Sequence, residues 1–106
     1  MPEAQSVAVA RIYLTEADHG AHKTLRQEIF TILHEQHRVR GVTVFRGIAG
    51  FGDSGEVHAS DILRLKVDLP IVIEFFDQPA VVDEVIKLLV KMVPEGRILR
   101  WSATCF

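Results

Sequence analysis

Read for spacing alone, the chain sets short β-branched runs against two amphipathic stretches. VAVARIYL (7–14) is short and rich in Val, Ile and Ala, which predicts a strand. From 21 to 37 the period changes. Ala21, Leu25, Ile29, Ile32 and Leu33 fall on one helical face, with Lys23, Arg26, Gln27, Glu35 and Arg38 mostly elsewhere. Thr15 or Asp18 is placed to cap this helix, and Gly41 stands where a helix stops. VTVFRGI (42–48) predicts a second strand, and LPIVIEFFD (69–77) a third, the most apolar of all. A second helix is expected over 79–93, with Pro79 in its first turn. Its apolar face is Val81, Val82, Val85, Leu88, Leu89 and Met92. PEG then turns the chain into a short last strand, RILRW (97–101).

The order β-α-β-β-α-β predicts an α+β, ferredoxin-like domain: a four-stranded antiparallel sheet with two helices on one face. The first and third strands are the most apolar and belong in the centre. The second and fourth carry Arg46, Arg97 and Arg100, as outer strands can. Strand three is apolar on both sides, Ile71, Ile73 and Phe75 against Val72 and Phe76. Helices cover one side, so the other is expected to be buried by a neighbouring subunit.

Composition narrows the class. The 106 residues make one domain, 1–106, with 48% hydrophobic and 25% charged residues, an ordinary globular balance. A net charge of −2, with the signs mixed along the chain, gives no footprint for nucleic acid. No apolar run approaches the ~20 residues that span a bilayer, so no membrane insertion is expected. MPEAQSV lacks the basic start of a signal peptide, and the lone Cys105 cannot form an intrachain disulfide. The expected location is the cytoplasm.

The conspicuous motif is GFGDSG (50–55), which matches the G-x-G-x-x-G of dinucleotide-binding turns, with Glu74 about 20 residues on. Three features argue against that reading. Arg46 and Gly47 interrupt the approach to the turn, the run after Gly55 makes a weak helix, and the chain is too short for a doubly wound sheet. The motif instead sits in a connection of nearly 20 residues between strands two and three, far longer than a hairpin needs. Gly47, Gly50, Gly52 and Gly55 can offer backbone N–H groups to an anion, with Arg46, His58 and Arg64 close by in sequence.

Other constellations are weaker. His19 with His22 and His34 with His37 have i,i+3 spacing, but neither pair has a third metal ligand nearby. His58, Asp53 and Asp61 could form an acid–base set, yet no nucleophile stands in a recognisable turn, and no enzymatic activity is expected. GVTVFRG is similar to an acylphosphatase loop, but it follows the wrong element and the chain has no asparagine. An RNA-recognition fold needs an aromatic string that LPIVIEFF does not supply.

TVFRGIAGFGDSGEVH, followed by DLPIVIEFFD and preceded by His19-Gly20 before the first helix, resembles the small PII-like proteins of the DUF190 family over almost the whole chain. The resemblance implies a ferredoxin-like subunit in a homotrimer, with a long loop, 47–64, that engages a partner protein. In PII proteins, adenine nucleotides bind between subunits near the base of that loop. Carried over by position, the ligand-binding residues are Arg46, Gly47, Gly50, Gly52, Gly55 and His58. The implied effector is a small anion, with ATP, ADP or AMP as the leading candidates. Two departures stand out: VPEGRI occupies the place of the second PII phosphate loop, and the sole tyrosine, Tyr13, lies in strand one rather than in the loop. The alternative is a small trimeric metal-binding protein or enzyme on the same fold.

Overall fold

The computed structural model describes residues 3–18, 20, 23–52, 55–59 and 68–106. The chain runs β1 (Gln5–Thr15), α1 (Leu25–Thr31), a π-helical segment (Ile32–Gln36), β2 (Gly41–Arg46), β3 (Ala49–Phe51), β4 (Val57–Ala59), β5 (Pro70–Asp77), α2 (Pro79–Leu89) and β6 (Ile98–Cys105). Four strands form one antiparallel sheet in the order β2-β5-β1-β6, and β3 and β4 form a separate two-stranded sheet. The two most apolar strands are therefore central, and β2, with Arg46, and β6, with Arg100, are the edges. The architecture is α+β and compatible with a ferredoxin-like fold.

Side chains directly opposite in the register share a face of the sheet. One face carries Ala8, Ala10, Ile12 and Leu14 beside Ile71, Ile73 and Phe75. These pack with Leu25, Ile29 and Leu33, and with Val82, Val85 and Leu89, as one buried core. The i, i+4, i+8 spacing of Leu25, Ile29 and Leu33 survives the passage from α-helix into π-helix, where His37 N–H donates to the Ile32 carbonyl at 3.1 Å. The opposite face carries Val9, Arg11, Tyr13, Val72, Glu74, Phe76, Phe45, Leu99 and Trp101. Among the described residues, no helix covers it: Phe45 is 46%, Leu99 50% and Trp101 40% exposed.

Several boundaries differ from the sequence reading. The cap of α1 is neither Thr15 nor Asp18 but Thr24, whose hydroxyl accepts from Gln27 N–H while the Gln27 side chain accepts from Thr24 N–H. Thr15 instead closes β1. The Asp18 carboxylate accepts from Thr15 N–H at 2.7 Å, and its carbonyl accepts from Leu25 N–H at 2.9 Å. Asp18 thus positions the helix start through its backbone.

Gly41 does not stop the first helix. Arg38 takes the left-handed turn there, at φ 46°, and Gly41 opens β2. Its glycine identity has a packing cause, because a Cβ at this site would run into the Phe76 ring. Regular helix in α2 ends at Leu89, before the expected 93. The last strand runs on through Cys105, pairing Thr104 with Ser6 and Cys105 with Gln5. Among the described residues, no helix is long and apolar enough to cross a membrane.

Candidate functional site at the root of the long connection

The ends of β1 and β2 and the starts of β5 and β6 meet at one end of the sheet. Arg46, the last residue of β2, makes a forked contact with Glu16, donating Nε–H to Oε1 at 2.8 Å and Nη2–H to Oε2 at 3.1 Å. Glu16 stands just past β1, where its own N–H donates to the Leu69 carbonyl at 3.0 Å. Arg26 approaches the same carboxylate from α1, at 3.9 Å. Two residues on, Asp18 accepts from Arg97 at 3.2 Å, and Ala17 N–H donates to the Asp68 carboxylate at 2.9 Å. The β1–α1 connection thus ties down both legs of the long connection and the approach to β6.

The glycines divide into two groups. Gly47 and Gly50 lie against Pro70, the first residue of β5. A Cβ would stand 3.1 Å from Pro70 Cβ at Gly47 and 3.0 Å from Pro70 Cγ at Gly50, closer than side chains normally pack. Gly47 N–H is already spent on the Pro70 carbonyl at 2.8 Å. Gly52 and Gly55 have open space around them. Gly55, at φ +75°, donates to the Gly52 carbonyl at 2.9 Å. Two of the four glycine N–H groups expected to face an anion are therefore used inside the protein.

His58 is paired with Gly50 across the β3–β4 hairpin, which brings its backbone beside the root of the connection. Of the six sequence-predicted residues, Arg46, Gly47, Gly50 and the His58 backbone come together near Pro70, with Gly52 and Gly55 further out on the hairpin. His19, His22, Asp53, Asp61 and Arg64 lie outside the described residues. His34 stacks on Phe30, with ring centroids 6.0 Å apart and planes at 21°. Among the described residues, no three His, Cys, Asp or Glu side chains gather as metal ligands would.

The hairpin reads from sequence as pliable loop, and its exposed apolar row was not foreseen. Ile48 is 81%, Phe51 74% and Val57 63% exposed, and Phe51 and Val57 are directly paired. Glu16 was missed as well. It lies in a polar turn 30 residues before Arg46, and no local pattern links the two.

A four-stranded antiparallel sheet with two helices on one face, and a hairpin rooted between β2 and β5, places the chain among α+β proteins compatible with the ferredoxin-like fold. Residues 7–105 match the DUF190 family, described as Uncharacterized ACR, and the chain belongs to that family. The UPF0166 protein MJ1524 of Methanocaldococcus jannaschii is 32% identical over 91 residues, covering 86% of this chain and 82% of that protein. Two UPF0166 matches from Aquifex aeolicus are shorter. One is 36% identical over 44 residues, 42% of each chain. The other is 50% identical over 36 residues, 34% of this chain and 38% of the relative.

Proposed function

We propose that this DUF190 protein is a PII-like regulator. It works as a homotrimer, takes a small anionic ligand such as ATP, ADP or AMP between subunits near the root of the long connection, and presents 47–64 to a partner protein. One observation carries the reading. A cation anchored in place, Arg46 on Glu16, stands at the root of a hairpin whose Ile48, Phe51 and Val57 face solvent. A ligand anion at the root competes with Glu16 for Arg46 and shifts the balance between hairpin conformations. A two-stranded hairpin is marginally stable by itself, so a small differential affinity is enough to move it.

The uncovered sheet face supports the assembly. Tyr13, Phe45, Val72, Phe76, Leu99 and Trp101 surround one ion pair there. Three copies turned about a three-fold axis can bury this apolar surface against one another in a closed ring.

Calorimetric titration of the purified protein with ATP, ADP, AMP, cyclic AMP and divalent metals tests the ligand. Heat with an adenine nucleotide supports the reading; no nucleotide heat together with tight metal binding overturns it in favour of a metal-binding protein. Light scattering tests the assembly separately, and a monomeric mass contradicts the trimer.

A further inference from the structure

α1 stops short of covering the edge strand β2. Val44 points to the helix side of the sheet, as does its cross-strand partner Ile73, but Ile73 is fully buried and Val44 is 42% exposed. Between α1 and β2 lies an open trough of about 600 Å³. Its apolar lining is Val44 and Phe30, and its cationic lining is Lys23 and Arg26. Phe30 is 41% exposed, so a flat aromatic side chain lies open on the wall.

Arg26 carries the argument. Among the described residues, its Nη1 is shut off from solvent and has no hydrogen-bond partner. A Glu16 carboxylate oxygen is 3.9 Å away, and Glu16 already accepts two bonds from Arg46. A guanidinium donor without water or an acceptor is costly, and an anion oxygen relieves it. The Glu16 charge is shared between Arg26 and Arg46, and both charged residues that line the trough, Lys23 and Arg26, are cationic.

We propose that this trough is a binding site for a small organic anion with a flat apolar body. Lys23 and Arg26 hold the phosphate or carboxylate, and Phe30 and Val44 pack against the body. This rests on the proposed small-anion ligand and deepens it. It places the ligand's charged end on α1, away from the glycines of the hairpin, with Glu16 linking Arg26 to Arg46 at the hairpin root.

The test is calorimetry on the full chain with ATP, adenosine and inorganic tripolyphosphate. The wild type is compared with Lys23→Gln/Arg26→Gln, Arg26→Lys, Phe30→Ala and Lys91→Gln, each checked for folding by circular dichroism. The double variant is expected to weaken ATP binding by at least about tenfold, with Arg26→Lys intermediate. Phe30→Ala is expected to weaken ATP but not tripolyphosphate, and Lys91→Gln, on an exposed lysine outside the trough, to leave both unchanged. If the wild type binds ATP and the folded double variant binds it equally well, the trough assignment is overturned and the proposed function stands. If the folded wild type binds neither ATP nor tripolyphosphate, the trough assignment is overturned; the proposed function falls with it only when ADP, AMP and cyclic AMP give no heat either. Lys23→Gln alone, on an exposed side chain, keeps the test open should the double variant not fold.

Discussion

Arg11 and Glu74 lie directly opposite each other on the two central strands, and their side chains meet at 2.7 Å in the middle of a largely apolar sheet face. The Arg11 guanidinium also sits 5.6 Å above the Trp101 ring. The hydrogen bond to Glu74, and after it one to Tyr13, holds Arg11 above its ordinary guanidinium pKa. Where a neighbouring copy covers this face, as proposed, such a pair would hold it to a single register, because a shifted neighbour would leave a charge against apolar surface.

The pair separates a covered face from an open one. In the single chain its side chains are 41% and 27% exposed, and an exposed pair contributes little. Buried by neighbouring subunits, the same pair would leave Arg11 stranded once Glu74 is removed. Glu74→Ala is therefore expected to lower the Tm several times more than Glu84→Ala, which breaks the exposed Glu84–Lys87 pair, and to shift the mass by light scattering toward monomer. Equal small effects and an unchanged mass would contradict a covered face. Because the Arg11 pKa is raised, its share of stability is full below the unfolded value and is lost only as pH rises through the folded one. The Arg11 contribution therefore stays constant between about pH 6 and pH 9.

The relocated helix cap gives a second expectation. Thr24→Ala removes the hydroxyl that accepts from Gln27 N–H and is expected to cost about 0.5–2 kcal/mol by thermal or urea unfolding. The capping residue suggested by sequence, Thr15, donates its N–H to Asp18 but caps no helix. Thr15→Ser, which keeps that backbone bond, is expected to change stability by less than about 0.5 kcal/mol.

The strand order was legible because hydrophobicity alone ranks the strands. PIVIEFFD and VAVARIYL are apolar throughout one face and, Arg11 and Glu74 apart, largely apolar on the other, so they take the centre and Arg46 and Arg100 fall on the edges. Pro79 marked the start of α2 through its missing N–H. The elements that were missed depend on distant contacts. SATC has no apolar alternation and is strand because it pairs with the start of β1. β3 and β4 are three residues each, too short for a period to show. Gly41 looked like a helix stop because nothing local announces that Phe76 lies across from it. Arg46 stood out at the site because it precedes the glycines, whereas Glu16 and Arg26 are brought to it only by folding.

Pro70 supplies a steric test of what the loop glycines do. Gly47→Ala and Gly50→Ala press a methyl group onto a stiff proline ring and are expected to cost about 1–3 kcal/mol. Gly55→Ala forces a side chain into φ +75° and is expected to cost about 1–2 kcal/mol. Gly52→Ala meets nothing and is expected to lie within about 0.5 kcal/mol of wild type. Thermal melts of the four variants check the order. Equal losses at all four would contradict a structural cause for Gly47 and Gly50.

Glu16 joins the trough to the hairpin, and its removal tests whether that link matters. Glu16→Gln keeps the shape of the side chain but removes the charge that holds Arg46 in a fork and faces Arg26 at 3.9 Å. Arg46 is 62% exposed on its side chain, so the direct loss of stability is expected to be small, no more than about 1 kcal/mol. The local effect should be larger. With its anchor gone, the hairpin root opens more often, and amide exchange at Gly47 and across β3 is expected to speed up while the core strands β1 and β5 keep their protection. Freed of the Glu16 charge, Arg26 is expected to bind tripolyphosphate more tightly than in wild type, by a few-fold. Hydrogen exchange read by NMR, with tripolyphosphate titrated into the same sample, gives both answers. Faster exchange in β3 without tighter anion binding would show that Glu16 holds the hairpin but does not compete for the anion.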